Sequence, residues 1–237
     1  LQIAEQALNT TMQIEGNVTP EGAMFKLSNI EDIEYFKESA LCLNPIIVET
    51  NLMQSLGQER VNMAKGELMP EVVAMGGASI YSHNLSDIVP RWAVGIGLTV
   101  PLFGGFSRQQ NRKSAEYKAR GVAEMVEKCQ EDVLLLVDRE YYSLQNSLAG
   151  IESCERSISF AESYYYTTLE GFREGVVSSS DLIDARIALA GARVEYLNAL
   201  YNHMLYLARL LEVSGLSREF LSYKSDAVIV DIKSIML

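Results

Sequence analysis

Residues 99–108 read T-V-P-L-F-G-G-F-S-R, and two periodicities meet inside them. Upstream, apolar residues recur at every second position; downstream they recur every three to four, so the period changes from a strand's to a helix's. Pro101 has no N–H to give to a ladder, and Gly104 and Gly105 bring free backbone angles. Pro101, Leu102, Phe103, Gly104 and Gly105 are therefore read as a strand-to-helix junction, the corner around which the chain is arranged.

The strand side covers residues 91–102. Its even positions are Trp92, Val94, Ile96, Leu98, Val100 and Leu102; its odd positions are Arg91, Ala93, Gly95, Gly97, Thr99 and Pro101, small or polar for the most part. A partner strand is expected over 70–82, after the breakers Gly66 and Pro70, with a polar loop at 83–90. Nine to eleven residues is the length of a tilted strand that crosses a bilayer, and Tyr81, Trp92 and Phe103 fall where aromatic girdles sit. The same alternation also fits a hairpin packed on a water-soluble core.

The helix side is longer than an ordinary globular helix. Residues 106–170 contain no proline, and a seam runs through Ala115, Ala119, Val122, Val126, Cys129 and Val133 at spacings of four and three. It continues through Val137, Tyr141, Leu144, Leu148, Ile151, Ile158, Ala161 and Tyr165, a coiled-coil pattern. Gly171 and Gly175 are expected to break it. Ser178, Ser179 and Ser180 then offer N-caps for a second helix over 180–214, with Asp181 and Asp184 in its first turns. Its seam is Leu182, Ala185, Leu189, Ala192, Tyr196, Ala199, His203, Tyr206, Leu210 and Val213, closed by Gly215. The fold class is mainly α with a β-hairpin: two barrel-type strands and a long antiparallel coiled-coil hairpin whose tip is 171–180.

Earlier in the chain, Asn44–Pro45 opens a helix over 45–65, with proline in the first turn. Ser28 and Glu31 fit a capping box for a short helix near 32–43, and 17–30 read as irregular. Residues 1–14 resemble the end of a helix closed by Gly16. Shifted by 199 residues, Leu1, Leu8, Met12, Ile14 and Gly16 fall on Leu200, Leu207, Leu211, Val213 and Gly215, which suggests a repeat. The organisation expected is 1–37, the end of a first-repeat helix and a linker; 38–216, a second structural repeat; and 217–237, a C-terminal tail in which D-A-V-I-V-D-I is a strand or a loose end.

The chain has 237 residues, 48% hydrophobic and 22% charged, with a net charge of −11 that argues against nucleic acid as a partner. No apolar run reaches the 18 residues of a transmembrane helix. Cys42, Cys129 and Cys154 are too scattered for a disulfide framework or a zinc site. His83 and His203 lack a second ligand at metal spacing and are read as structural. Tyr164, Tyr165 and Tyr166 are read as hairpin packing near the tip, with part of the run open to an adaptor. No phosphate loop, helical Glu/His metal motif or nucleophile set is present, so neither an enzyme nor a cofactor is expected. The chain opens mid-pattern without Met, which is read as a fragment or a processed chain.

Several of these segments together resemble one family. P-L-F-G-G at 101–105 before a long helix, F-R-E-G-V-V-S-S-S-D-L-I-D-A at 172–185 and Y-N-H-M-L-Y-L-A-R-L-L-E-V-S-G at 201–215 resemble TolC-type outer-membrane efflux proteins. Asn44–Pro45 and K-G-E-L-M-P-E-V at 65–72 are similar to the family's helix leading into a first strand. The resemblance implies a homotrimer spanning the outer membrane and periplasm of a Gram-negative bacterium, each full protomer holding two repeats. It implies contact with outer-membrane lipid, a periplasmic adaptor and an inner-membrane transporter, and passive export of small molecules or proteins. One hairpin of strands does not close such a barrel, so a truncated chain is expected.

The resemblance also assigns a periplasmic gate at the hairpin tip. Asp181 and Asp184 match the family's gate aspartates, which in three chains would form two carboxylate rings. Serving the helix N-terminus is the alternative role for both. The family's gate tyrosine matches Phe172 and its gate arginine matches Val177, so a latch here would be apolar or would lie elsewhere. The competing reading of the chain is a structural coiled-coil protein, such as a periplasmic adaptor.

Overall fold

A computed structural model describes residues 2–13, 23–27, 29–78, 92–100 and 105–230. The chain begins with α1 (Gln2–Met12), β1 (Met24–Lys26), α2 (Ile33–Leu43) and α3 (Pro45–Gly66). It continues through β2 (Glu71–Ala78), β3 (Trp92–Thr99), α4 (Ser107–Arg173) and α5 (Ser179–Val213). A 3-10 turn (Ser217–Glu219), α6 (Phe220–Asp226) and β4 (Val228–Val230) close it. The chain divides into two compact units, residues 45–132 and residues 1–44 with 133–237. The 67-residue α4 contributes to both.

In the unit formed by 45–132, α3 starts at Pro45 as expected, since the missing proline N–H is an orphan in a first turn anyway. β2 and β3 pair antiparallel, Glu71 opposite Thr99 through to Ala78 opposite Trp92. The register puts Val72, Ala74, Gly76 and Ala78 on one face with Trp92, Val94, Ile96 and Leu98. Glu71, Val73, Met75 and Gly77 share the other with Ala93, Gly95, Gly97 and Thr99. Both faces are open: every residue of the two strands is exposed except the half-exposed Gly97. Among the described residues the ladder covers eight residues of each strand, within the 70–82 and 91–102 expected. The far ends of those ranges, His83, and Pro101, Leu102, Phe103 and Gly104 of the junction lie outside the described residues.

In the other unit, α4 and α5 form the antiparallel hairpin. Val133, Val137, Tyr141, Leu144, Ile151 and Ala161 of the expected α4 seam are buried, as are Ala185, Leu189, Tyr196, His203 and Leu210 of the α5 seam. Ile151, Tyr196 and Leu200 form one apolar cluster, flanked by Cys154, Ile158, Ala199, Met24 and Val230. Leu200, Leu207 and Leu211 are fully buried although the seam does not include them. They belong to a second covered face of α5, against which β1, α2, the 3-10 turn and α6 pack.

That second face bears on two expectations. Residues 24–26 are not irregular: β1 pairs antiparallel with β4, Phe25 opposite Ile229. Of the two alternatives for D-A-V-I-V-D-I, the strand is the one found, at Val228–Val230 after the 3-10 turn and α6. Phe25 is 1% exposed and stacks at a tilt on Phe220, ring centroids 5.8 Å apart. At α2, Asp32 rather than Ser28 is the N-cap, its carboxylate accepting from the Ile33 N–H at 2.8 Å. Of the three free cysteines, Cys129 and Cys154 are half-buried and Cys42 is exposed.

Candidate functional site

The tip of the hairpin is built by two local devices. Gly171 does not break α4, which runs on to Arg173; the stop is Gly175, at φ +77°. The Val176 N–H donates to the Gly171 carbonyl at 2.9 Å and the Gly175 N–H to the Phe172 carbonyl at 3.0 Å. Those two bonds are a Schellman motif, and they satisfy carbonyls that have no partner further along the helix. Gly171 matters through its missing side chain. A Cβ there would lie 2.6 Å from Cγ2 of Val177, so the glycine lets Val177 fold back onto the helix end.

The second device starts α5. The Asp181 N–H donates to Ser178 Oγ at 3.2 Å, while the Asp181 carboxylate accepts from the Ser178 N–H at 3.2 Å and from its hydroxyl at 2.7 Å. This is a reciprocal capping box with Asp in the place of Glu. Asp181 thus holds a structural post. Asp184, three residues on and one turn up the same flank, is exposed and has no ion pair among the described residues.

The four residues matched to the gate are therefore brought together at one end of the hairpin, in different situations. Phe172 is 41% exposed on the last turn of α4. Val177 is half-buried beside Gly171. Glu170 and Glu174 add negative charge, Glu170 being paired with Arg173 at 2.6 Å. Of the tyrosine run, only Tyr165 packs into the hairpin; Tyr164 and Tyr166 are 45% and 62% exposed.

At the opposite end of the hairpin, two polar clips and a clamp hold the β1 segment and α2. His203 is wholly buried. Its Nε2 accepts from the Leu27 N–H at 3.2 Å, so the proton sits on Nδ1, which donates to Ser147 Oγ at 2.7 Å. Ser147 in turn donates to the Leu144 carbonyl at 2.6 Å. Burial pushes the imidazole pKa down to about 4. It is a structural histidine, as read from the sequence, but the sequence had no sign of the strand it fastens. In the second clip, Lys26 Nζ lies 2.7 Å from Glu155, which also accepts from the Tyr196 hydroxyl at 3.2 Å. The Lys26 hydrogen bond holds the Glu155 carboxyl below the usual carboxylate range. Burial beside Glu155 pushes the Tyr196 phenol up to about 12.

The clamp closes on the C-terminus of α5. Gly215, at φ +75°, closes a second Schellman motif: the Leu216 N–H donates to the Leu211 carbonyl at 2.7 Å and the Gly215 N–H to that of Glu212 at 3.1 Å. Asn44 Nδ2 donates to the Val213 carbonyl at 2.7 Å. The backbone of Leu43 passes so close that a Cβ on Gly215 would lie 2.7 Å from its carbonyl carbon.

At the junction, Gly105 and Phe106 both adopt left-handed backbone, φ +61° and +64°. For phenylalanine this costs about 1–2 kcal/mol, so the second left-handed residue in the corner is not one that the sequence marks. No helix among the described residues is long and apolar enough to cross a membrane, and no cluster of metal-ligating side chains occurs among them.

A family model described as outer membrane efflux protein matches residues 37–216. Outer membrane protein TolC of Escherichia coli is 22% identical over 220 residues, covering 85% of this chain and 45% of the relative. Among solved structures, the open-state MtrE outer membrane channel of Neisseria gonorrhoeae superimposes with a TM-score of 0.76 at 17% identity, over 92% of this chain and 51% of that one. The CmeC outer membrane channel of Campylobacter jejuni gives 0.72 at 13% identity, over 98% and 52%. The chain spans about half the length of the relatives it matches, and at these identities the solved structures establish the fold alone.

Proposed function

Because the chain belongs to the outer membrane efflux protein family, we propose that it supplies one repeat of an export duct in the outer membrane of a Gram-negative bacterium. The observation that carries this reading is the β2–β3 hairpin. Two strands with both faces open, one of them wholly apolar, are not stable in water. Trp92, Val94, Ile96 and Leu98, 65–80% exposed on one face, suit acyl chains. The other face, with Glu71, Thr99 and four glycines or alanines beside Val73 and Met75, suits the inside of a barrel. Further strands then complete the barrel, from a first repeat and from two more protomers of a homotrimer.

On this reading the α4–α5 hairpin is a wall of the periplasmic tunnel, passive export follows the tunnel, and the tip is its entrance. A periplasmic adaptor and an inner-membrane transporter deliver the cargo. Asp184 forms the freer carboxylate ring, attracting cations, while Asp181 adds its charge from a fixed capping position. Phe172 is the exposed apolar group available for a latch; Val177 is occupied in shaping its own turn. The family match at 37–216 supports the duct over a coiled-coil adaptor.

Planar-bilayer recording of the full-length protein tests the reading. Stepwise cation-preferring conductance is expected, and Asp184→Asn is expected to weaken the preference. A protein that inserts without conducting would sink the duct. Unchanged selectivity in the variant would remove Asp184 from the entrance.

A further inference from the structure

The chain carries a net charge of −11, yet residues 105–120 hold Arg108, Arg112, Lys113, Lys118 and Arg120 against the single carboxylate of Glu116. This basic patch lies on the opening turns of α4, where the positive end of the helix dipole disfavours cations. The first turn has no acidic residue to offset it. Helix stability therefore gives no reason for the charges. Arg112 pairs with Glu116 at 3.1 Å, and Arg120 lies 6.0 Å from the ring centre of Tyr117. Arg108 and Lys113 have no ion pair among the described residues. From the neighbouring segment, Glu67 and Glu71 line a recess with Arg108, and Lys65 stands in the last turn of α3. Arg112 and Lys113 are exposed and lie outside that recess.

The position of the patch identifies what would compensate it. Arg108, Arg112 and Lys113 fall within about 9 Å of axial rise from the start of α4. Helix α4 opens eight residues after β3 ends. Phe106, 65% exposed, stands just ahead of the cations, the pairing of aromatic and cationic side chains found at membrane–water boundaries. Anionic surfaces attract basic residues within roughly a Debye length, about 8 Å at physiological salt. Guanidinium groups match phosphate oxygens in geometry as well as charge.

We propose that Arg108, Arg112 and Lys113, with Phe106 beside them, form a docking surface for anionic phospholipid headgroups on the helical side of the bilayer. The proposal rests on the reading of β2 and β3 as membrane-spanning strands. It adds a lipid preference set by the helix rather than by the barrel.

The test is retention of phosphatidylglycerol against phosphatidylcholine by the full-length protein in mixed-lipid nanodiscs, followed by native mass spectrometry of the released protein. The expected preference for phosphatidylglycerol is about a hundredfold, since each of the three cations near an anionic surface is worth about fivefold. It should shrink as salt is raised. Arg108→Gln with Arg112→Gln and Lys113→Gln should bring it to within about twofold. In zwitterionic detergent that variant should melt close to the parent, because relief of repulsion with the helix dipole offsets loss of the exposed Arg112–Glu116 pair. Inorganic phosphate at equal charge should not displace the lipid. Equal retention of the two lipids, displacement by phosphate, or an unchanged preference in the variant overturns the proposal alone. Failure to insert into any bilayer overturns the membrane reading beneath it as well.

Discussion

Both helices of the hairpin end in the same Schellman motif, one at Gly175 and one at Gly215, with closely matched bonds and φ angles. Their surroundings differ. Nothing lies within 4 Å of a Cβ built on Gly175, whereas one on Gly215 meets the Leu43 backbone at 2.7 Å and its side chain at the same distance. At the tip, the motif only has to turn the chain. At the other end it must also let α5 pass against Leu43 and Asn44. The contrast extends to the polar groups. Tip carboxylates are exposed and Asp181 serves only a local turn, while His203, Asn44 and Glu155 tie together segments more than a hundred residues apart in sequence. An identical local device is thus tolerant where it stands in solvent and intolerant where other segments close over it.

The sharpest way to break this comparison is to put alanine at both glycines. Gly215→Ala combines left-handed strain with a backbone clash and should destabilise the protein by about 3 kcal/mol or more. Gly175→Ala should cost only about 1 kcal/mol, the strain alone. Denaturant unfolding followed by helical circular dichroism measures both, and equal losses would remove the distinction.

Acid should act on the clamped end through His203. Its pKa is depressed in the folded state, so the unfolded chain binds a proton first as pH falls from about 6.5 toward 4. Stability is fully present above that window and should decline through it, by up to about 3 kcal/mol for a shift of this size. His203→Gln should flatten the melting temperature between pH 6.5 and 4.5, above the range in which Glu155 protonates. A slope unchanged in that variant would place the acid sensitivity elsewhere.

At the tip, Asp181→Ala removes the capping box and should cost about 1 kcal/mol, seen as a lower denaturation midpoint. Asp184→Asn makes the finest cut. It should leave the midpoint within about 0.5 kcal/mol and alter only ion selectivity. If instead Asp184→Asn destabilised as much as Asp181→Ala, the two carboxylates would share one structural role.

Much of the fold was legible because its signals are periodic or local. The seams of α4 and α5 gave the hairpin, since a 3.5-residue repeat needs only the sequence around it. The alternation from Trp92 to Leu98 gave β3, and the serines at 178–180 gave the start of α5. Asp181 and Asp184 were legible as a pair, but their separate situations were not. Which carboxylate oxygen meets Ser178 depends on the turn that Gly171, Gly175 and Val177 make together.

Legible in the chain alone are the long helical hairpin and the two strands β2 and β3. Each follows from side-chain period and from glycine and proline chemistry within a few residues. Only the tertiary structure decided the β1–β4 pairing, the second buried face of α5 and the role of His203. Three-residue strands carry too short a pattern to register, and their partners lie about 200 residues apart. Burial of Leu200, Leu207 and Leu211 depends on segments that no local period can announce. Gly215 belongs to both accounts: its cap was readable from the chain, and the clash that makes glycine indispensable there exists only once Leu43 is in place.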